Sequence, residues 1–163
     1  MSMAGTASIR VVRIPLERVT PEAWQPFGTI LGPQRHTLVC TEGHVIVNIM
    51  HVQPRPLQCH YLNRHHDHEQ LFQPLRGTRG VLFVAPPSLP GGVGFDPRQV
   101  RAFLLDEDVT VILHVDTWHA APYALDGEAA FLNIQGSEYA RNTEGLDTAV
   151  TLGVVFEAVP GDR

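Results

Sequence analysis

Leu62-Asn63-Arg64-His65-His66-Asp67-His68-Glu69-Gln70-Leu71-Phe72-Gln73-Pro74-Leu75-Arg76-Gly77 joins two short apolar stretches through a knot of histidines and ends in a glycine turn. Gly77 after Pro74-Leu75-Arg76 reads as the turn of a β-hairpin, since glycine takes positive φ without steric cost. Working outward, 13 prolines and 14 glycines cut the chain into short runs rich in Val, Ile, Leu and Phe, the punctuation of an all-β domain. The runs predict strands at Ile9–Ile14, Val45–Val52, Leu57–Asn63, Leu71–Leu75, Gly80–Ala85, Arg101–Leu105, Val109–Val115, Ala129–Gln135 and Thr148–Phe156. In Val45–Val52, Val45, Val47 and Ile49 alternate with Ile46, Asn48 and Met50, so Asn48 is a polar residue on an otherwise apolar face. One short helix is expected at Thr20-Pro21-Glu22-Ala23-Trp24, where a hydroxyl N-cap precedes a first-turn proline. Pro86–Pro97 is a loop long enough for a lid or rim. Nine short strands with little helix predict a sandwich or barrel, and closure into a barrel removes exposed edges.

The 163 residues, 44% hydrophobic and 18% charged, suit a single domain over 1–163, with 1–8 expected to be flexible. A net charge of −5 with 12 scattered Lys and Arg argues against nucleic acid as a partner. No apolar run approaches a membrane span, and Met1–Ser8 lacks the apolar core of a signal peptide, so no membrane partner and a cytoplasmic location are expected. Cys40 and Cys59 form no Cys-x-x-Cys pair and are expected to be reduced thiols.

Six of the nine histidines fall in two groups: His60, His65, His66 and His68, then His114 and His119. Imidazole is the commonest metal ligand and titrates near neutrality, so such grouping points to a metal or to proton transfer. The spacing fits the first motif of a cupin, His-x-His, Glu, then Gly, in two registers. One reads Asn63-x-His65, Gln70, Gly77; the other reads His66-x-His68, Gln73, Gly80. In both, Gln replaces the usual Glu and the ligand set is neutral, with a weaker hold on a divalent ion. His119 stands at the second-motif histidine. Strand alternation turns His114 away from His119, and a kink near Asp116 would bring both inward.

The chain resembles the ureidoglycolate lyase family along nearly its whole length. The matching pieces are Thr20-Pro21-Glu22-Ala23-Trp24-Gln25-Pro26-Phe27-Gly28, Arg64-His65, Gln70-Leu71-Phe72-Gln73-Pro74-Leu75-Arg76-Gly77, Val100-Arg101-Ala102-Phe103, and Trp118-His119 with Pro122. The resemblance implies a cupin-type double-stranded β-helix barrel, jelly-roll-like, with one short N-terminal helix. It also implies a homodimer, a small-molecule carboxylate substrate, and cleavage of ureidoglycolate to glyoxylate and urea in purine and allantoin catabolism. The implied cofactor is a divalent metal, nickel being the one associated with the family, with zinc, manganese or iron as alternatives. By the same resemblance His65, Gln70 and His119 are the metal or catalytic set, with His66, His68 and Gln73 as the alternative register. His114 is a further catalytic candidate, and Arg64, Asn48 and Asp116 are candidates for substrate binding. His66, His68 and Asp116 depart from the family's pattern and add ionisable groups near the expected pocket. Two other readings stay open: a metal-dependent isomerase or dioxygenase on a small acid, and a non-catalytic cupin that binds a small carboxylate.

Overall fold

The computed structural model describes residues 8–106 and 108–161, so the start expected to be flexible lies outside the described residues except for Ser8. Fourteen strands run through them: β1 (Arg10–Arg18), β2 (Gly28–Ile30), β3 (Val45–Val52), β4 (Gln58–Cys59), β5 (Tyr61–His65), β6 (Gln70–Leu75), β7 (Gly80–Ala85), β8 (Arg101–Leu105), β9 (Val111–Leu113), β10 (Trp118–His119), β11 (Tyr123–Ala124), β12 (Ala129–Gly136), β13 (Thr143–Asp147) and β14 (Val154–Val159). They form two sheets. The larger has nine strands in the order β13-β5-β10-β7-β8-β1-β14-β4, with β11 paired to β7; the smaller runs β2-β9-β6-β12-β3. The sheets curl over one another into a cupin-type half-barrel, the all-β class that the short apolar runs predict.

β7 shows why the run Gly80-Val81-Leu82-Phe83-Val84-Ala85 is apolar without interruption. Val81, Phe83 and Ala85 enter one buried cluster with Leu62, Trp118 and Phe156. Leu82 and Val84 enter another, with Trp24, Phe72, Phe103 and Phe131, between the two sheets. A strand buried on both faces has no position for a polar side chain. The helix α1 (Pro21–Trp24) begins where expected, with Thr20 Oγ1 accepting from Ala23 N at 3.2 Å, and seats Trp24 edge-on to Phe103 at 5.2 Å. The hairpin between β6 and β7 turns at Arg76 and Gly77, with φ of 56° and 67°, and Thr78 N donates to Leu75 O at 3.0 Å. Positive φ at both central residues is the signature of a type I′ turn.

The stretch 148–156 departs from its reading as one strand. Its first half is a second short helix, α2 (Thr148–Leu152), and only the second half pairs as β14. Asp147 caps α2 by accepting from Ala149 N and Val150 N, and Gly153 ends it in the left-handed region at φ 63°. These local hydrogen bonds outweigh the β preference of Val150 and Thr151. β13 was not expected from its polar sequence; it is built by pairing to β5. Pro86–Pro97 does not reach the site as a lid. Arg64 holds its carbonyls at Ser88 and Leu89, at 2.6 and 3.0 Å, on the side of β5 opposite the cavity.

Gly80 has no room for a side chain: a Cβ there would stand 2.5 Å from Phe131 Cζ and 2.7 Å from Tyr123 O. Gly80→Ala should therefore lower stability by about 1–3 kcal/mol, the usual cost of overpacking, read as a lower urea midpoint.

Candidate functional site

Alternation along three strands places the polar residues of the site on one inner surface. On β5, Asn63 and His65 face the cavity while Leu62 and Arg64 are buried on the opposite face; on β6, Gln70 and Phe72 face the cavity; on β12, Asn133 and Gln135 do. Pairing of His119 with Asn63 brings β10 alongside, and pairing of Asn133 with Phe72 and with Asn48 brings β6 and β3. The result is a cavity of about 500 Å3 lined by Met50, Tyr61, Asn63, His65, Gln70, Phe72, His119, Ala121, Asn133, Gln135, Tyr139, Ala140 and Thr143. None of these side chains is Arg, Lys, Asp or Glu.

The cavity floor is a set of close polar contacts. Gln70 Oε1 lies 3.0 Å from His65 Nε2 and 2.9 Å from His119 Nε2. Gln70 Nε2 donates to Asn133 Oδ1 at 2.8 Å, and Asn133 Nδ2 donates to Asn48 Oδ1 at 2.9 Å. The far nitrogens of both rings are engaged as donors. His119 Nδ1 donates to Thr117 O at 2.9 Å; His65 Nδ1 donates to Thr143 Oγ1 at 2.8 Å, while the Thr143 hydroxyl donates to Tyr139 O. In a neutral ring with Nδ1 protonated, Nε2 carries a lone pair. Both rings are held neutral. Burial, then the nearby imidazoles of His119 and His68, push the pKa of His65 down to about 3. Burial lowers that of His119 to about 4, with the bond to Thr117 O opposing and His68 adding to the shift.

Beneath the floor lies a residue whose place the sequence reading missed. His68 is fully enclosed and stacks on His65 with centroids 4.4 Å apart, its Nδ1 2.8 Å from Asp67 Oδ1. His68 Nε2 and Asp67 Oδ2 are buried without partners. Gly136 admits this ring, for a Cβ there would stand 2.5 Å from His68 Nδ1.

Several expected site residues stand elsewhere. His66, His68 and Gln73 do not converge: His66 turns outward to Asp116 Oδ1 at 2.5 Å and Glu144 Oε2 at 3.2 Å, and Gln73 lies on the other face of β6 from Gln70. Asp116, with φ 68°, is likewise part of this outer cluster rather than of the cavity. Its kink carries the chain from β9 in one sheet to β10 in the other, and does not turn His114 inward. The His114 ring meets Thr29 Oγ1 at 3.3 Å outside the cavity. Arg64 is buried but points away, donating to Glu144 and lying over the Trp118 ring at 4.4 Å, where strand alternation from His65 puts it. Asn48 is at the exposed end of the amide chain. Asn133, Thr143, Tyr61 and Tyr139 were not anticipated. Asn133 and Gln135 were legible as polar positions alternating within the apolar strand Ala129–Gly136.

A half-barrel of two curled sheets with a small, polar, histidine-floored cavity defines the class: an all-β protein of cupin type. Comparison with known proteins narrows this. Residues 34–154 match the model of the ureidoglycolate lyase family, and the chain belongs to that family of enzymes. It is 28% identical to a ureidoglycolate lyase of Burkholderia cepacia, with 95% of this chain and 94% of that one aligned. It is 31% identical to a ureidoglycolate lyase of Azotobacter vinelandii (strain DJ / ATCC BAA-1303), over 76% and 85% of the two chains. Among solved structures, RmlC from Streptococcus suis in complex with dTDP-D-xylose aligns with 57% of this chain and 44% of its own, at a TM-score of 0.40 and 10% identity. Among the described residues no helix is long and apolar enough to cross a membrane.

The buried imidazoles set a pH dependence. Their folded pKa values, about 3 and about 4, lie below the unfolded value of about 6.5, so the unfolded chain binds more protons between these limits. The contribution is fully present above pH ~6.5 and is lost as pH falls toward 4 and then 3. Urea unfolding should show a stability loss on the order of 3 kcal/mol from each ring between pH 7 and pH 4, with the slope about halved in His119→Leu; parallel slopes would contradict the assignment.

Proposed function

We propose that this protein is a carbon–nitrogen lyase that cleaves ureidoglycolate to glyoxylate and urea on the floor formed by His65, Gln70 and His119. The observation that carries the reading is the convergence of two neutral imidazole Nε2 atoms on one amide oxygen, in an uncharged cavity sized for a small substrate. Family membership and the names of the aligned relatives support the substrate.

The reaction moves one proton from the substrate hydroxyl to the departing urea nitrogen. The C–N bonding pair leaves with that nitrogen, and the C–O bond becomes the aldehyde carbonyl. The rings of His65 and His119, held at Nδ1 by Thr143 Oγ1 and Thr117 O, turn their Nε2 lone pairs to the cavity floor, where they would hold a cation beside the substrate's hydroxyl and carboxylate. The amides of Asn63, Asn133 and Gln135 offer hydrogen bonds to the uncharged urea half, and Phe72, Met50 and Ala121 supply apolar wall. Tyr61 and Tyr139, both half exposed, stand where the products meet solvent.

Among the described residues no Arg or Lys side chain lines the cavity to pair with the substrate carboxylate, and the donor set fits a divalent cation in that role. Three acceptor atoms, His65 Nε2, His119 Nε2 and Gln70 Oε1, meet with no proton between them, and their Nδ1–H bonds are of the kind that orient histidine ligands. A cation held there, nickel by family resemblance, would supply the counter-charge of the carboxylate and acidify the hydroxyl. The proposal includes a homodimer, supported by the exposed row Val45, Val47 and Ile49 on the edge strand β3.

Purified protein supplied with ureidoglycolate and nickel should release glyoxylate and urea in equal amounts, and His119→Ala should lower kcat/KM at least ~100-fold. Absence of glyoxylate from the wild-type enzyme, with zinc, manganese and iron also tried, would overturn the substrate assignment.

A further inference from the structure

The polar groups of the floor form a line of three amides, Gln70, Asn133 and Asn48, that runs from the buried interior to an exposed end. Gln70 and Asn133 are 6% and 2% exposed, whereas Asn48 opens to solvent. Each amide has one donor end and one acceptor end, so the polarity of any member dictates that of its neighbours. In the structure every amide turns its oxygen toward the histidines: Asn48 Oδ1 to Asn133, Asn133 Oδ1 to Gln70, Gln70 Oε1 to His65 and His119. The reverse order is equally self-consistent. Gln70 Nε2 would then give one proton to each imidazole Nε2, and Asn133 Nδ2 one to Gln70 Oε1. Water satisfies Asn48 in either case, so the choice falls to the buried end.

At that end the observed polarity leaves an oxygen facing two lone pairs. A buried acceptor facing other acceptors with no donor is destabilising, so this polarity needs something positive between the three atoms. We propose that Asn133, with Asn48 behind it, is a positioning residue in a two-polarity amide relay: a cation on the cavity floor selects the polarity with Gln70 Oε1 inward, and its departure selects the reverse. The inference rests on the reading that His65, Gln70 and His119 hold a cation. It assigns to Asn133 the task of delivering an amide oxygen, in place of a carboxylate, at the right orientation. Asn133 donates no atom to the cation.

Asp at position 133 can only accept from Gln70 Nε2 and locks the oxygen inward; Leu removes the relay. The chelator-stripped full chain is titrated with NiCl2 by calorimetry as wild type, Asn133→Asp, Asn133→Leu and Gln135→Glu, the last placing a carboxylate in the same cavity but outside the relay. Asn133→Asp should bind nickel more tightly than both wild type and Gln135→Glu, and Asn133→Leu about 10- to 100-fold more weakly than wild type. In stripped, 15N-labelled wild type, NMR should detect couplings across hydrogen bonds from the Gln70 side-chain nitrogen to imidazole nitrogens, with the Gln70 signal identified by its loss in Gln70→Glu. Asn133→Asp binding no tighter than Gln135→Glu, or Asn133→Leu binding as wild type does, overturns the relay and leaves the cation reading intact. Stripped protein without those couplings also overturns the relay. Wild type that takes up no nickel yet shows the couplings overturns the cation reading and, with it, the cation-selected switch of polarity.

Discussion

Gln70 Oε1 is the point at which the two sheets meet chemically. It contacts His65 of β5 and His119 of β10, both in the nine-stranded sheet, while Gln70 itself sits on β6 of the five-stranded sheet and its nitrogen reaches Asn133 of β12. The apolar residues between the sheets set their separation; this polar contact sets what lies at the open end of that core. Burying four polar side chains together is favourable only if each finds its partners, and the bonds through Thr143, Thr117 and Asn48 complete all but the innermost ones. What is left over, two nitrogen lone pairs and an oxygen, is the chemically useful part.

Strand alternation also keeps charge out of the cavity. Arg64 and His65 are adjacent in the chain, yet one meets Glu144 and the loop at Ser88 on the outside, and the other faces the cavity. His66, Asp116 and Glu144 complete this external cluster. Its charges brace β5, β13 and the segment after β9, and leave the floor uncharged. In that setting an imidazole is kept neutral by burial. The Asp67–His68 pair under His65 adds a second, enclosed layer whose unpaired atoms have no assigned task.

Much of this was legible from the chain. Apolar runs cut by glycine and proline indicated an all-β fold, Gly77 marked its turn, and the order of motifs from Trp24 to His119 indicated the family. His65, Gln70 and His119 were named together, and the structure brings them together. The remaining errors share one cause. Arg64, Asp116 and His114 are close in sequence to site residues, but proximity along a strand or a kink does not say which face a side chain takes once the chain changes sheets. The helix over 148–152 was missed because its deciding signals, Asp147 before it and Gly153 after it, are caps rather than a period.

The amino-acid sequence by itself determined the strand periodicity, the turn, and the supply of imidazole and amide groups, because these depend on residue type and local spacing. Only the tertiary structure brought His65, Gln70 and His119 together, turned Arg64 to the opposite face of β5, enclosed His68, and joined Asn133 and Asn48 to Gln70. Those outcomes depend on which strands become neighbours, and neighbours 63 and 85 residues apart in the chain are chosen by the packing of two curled sheets rather than by any local preference.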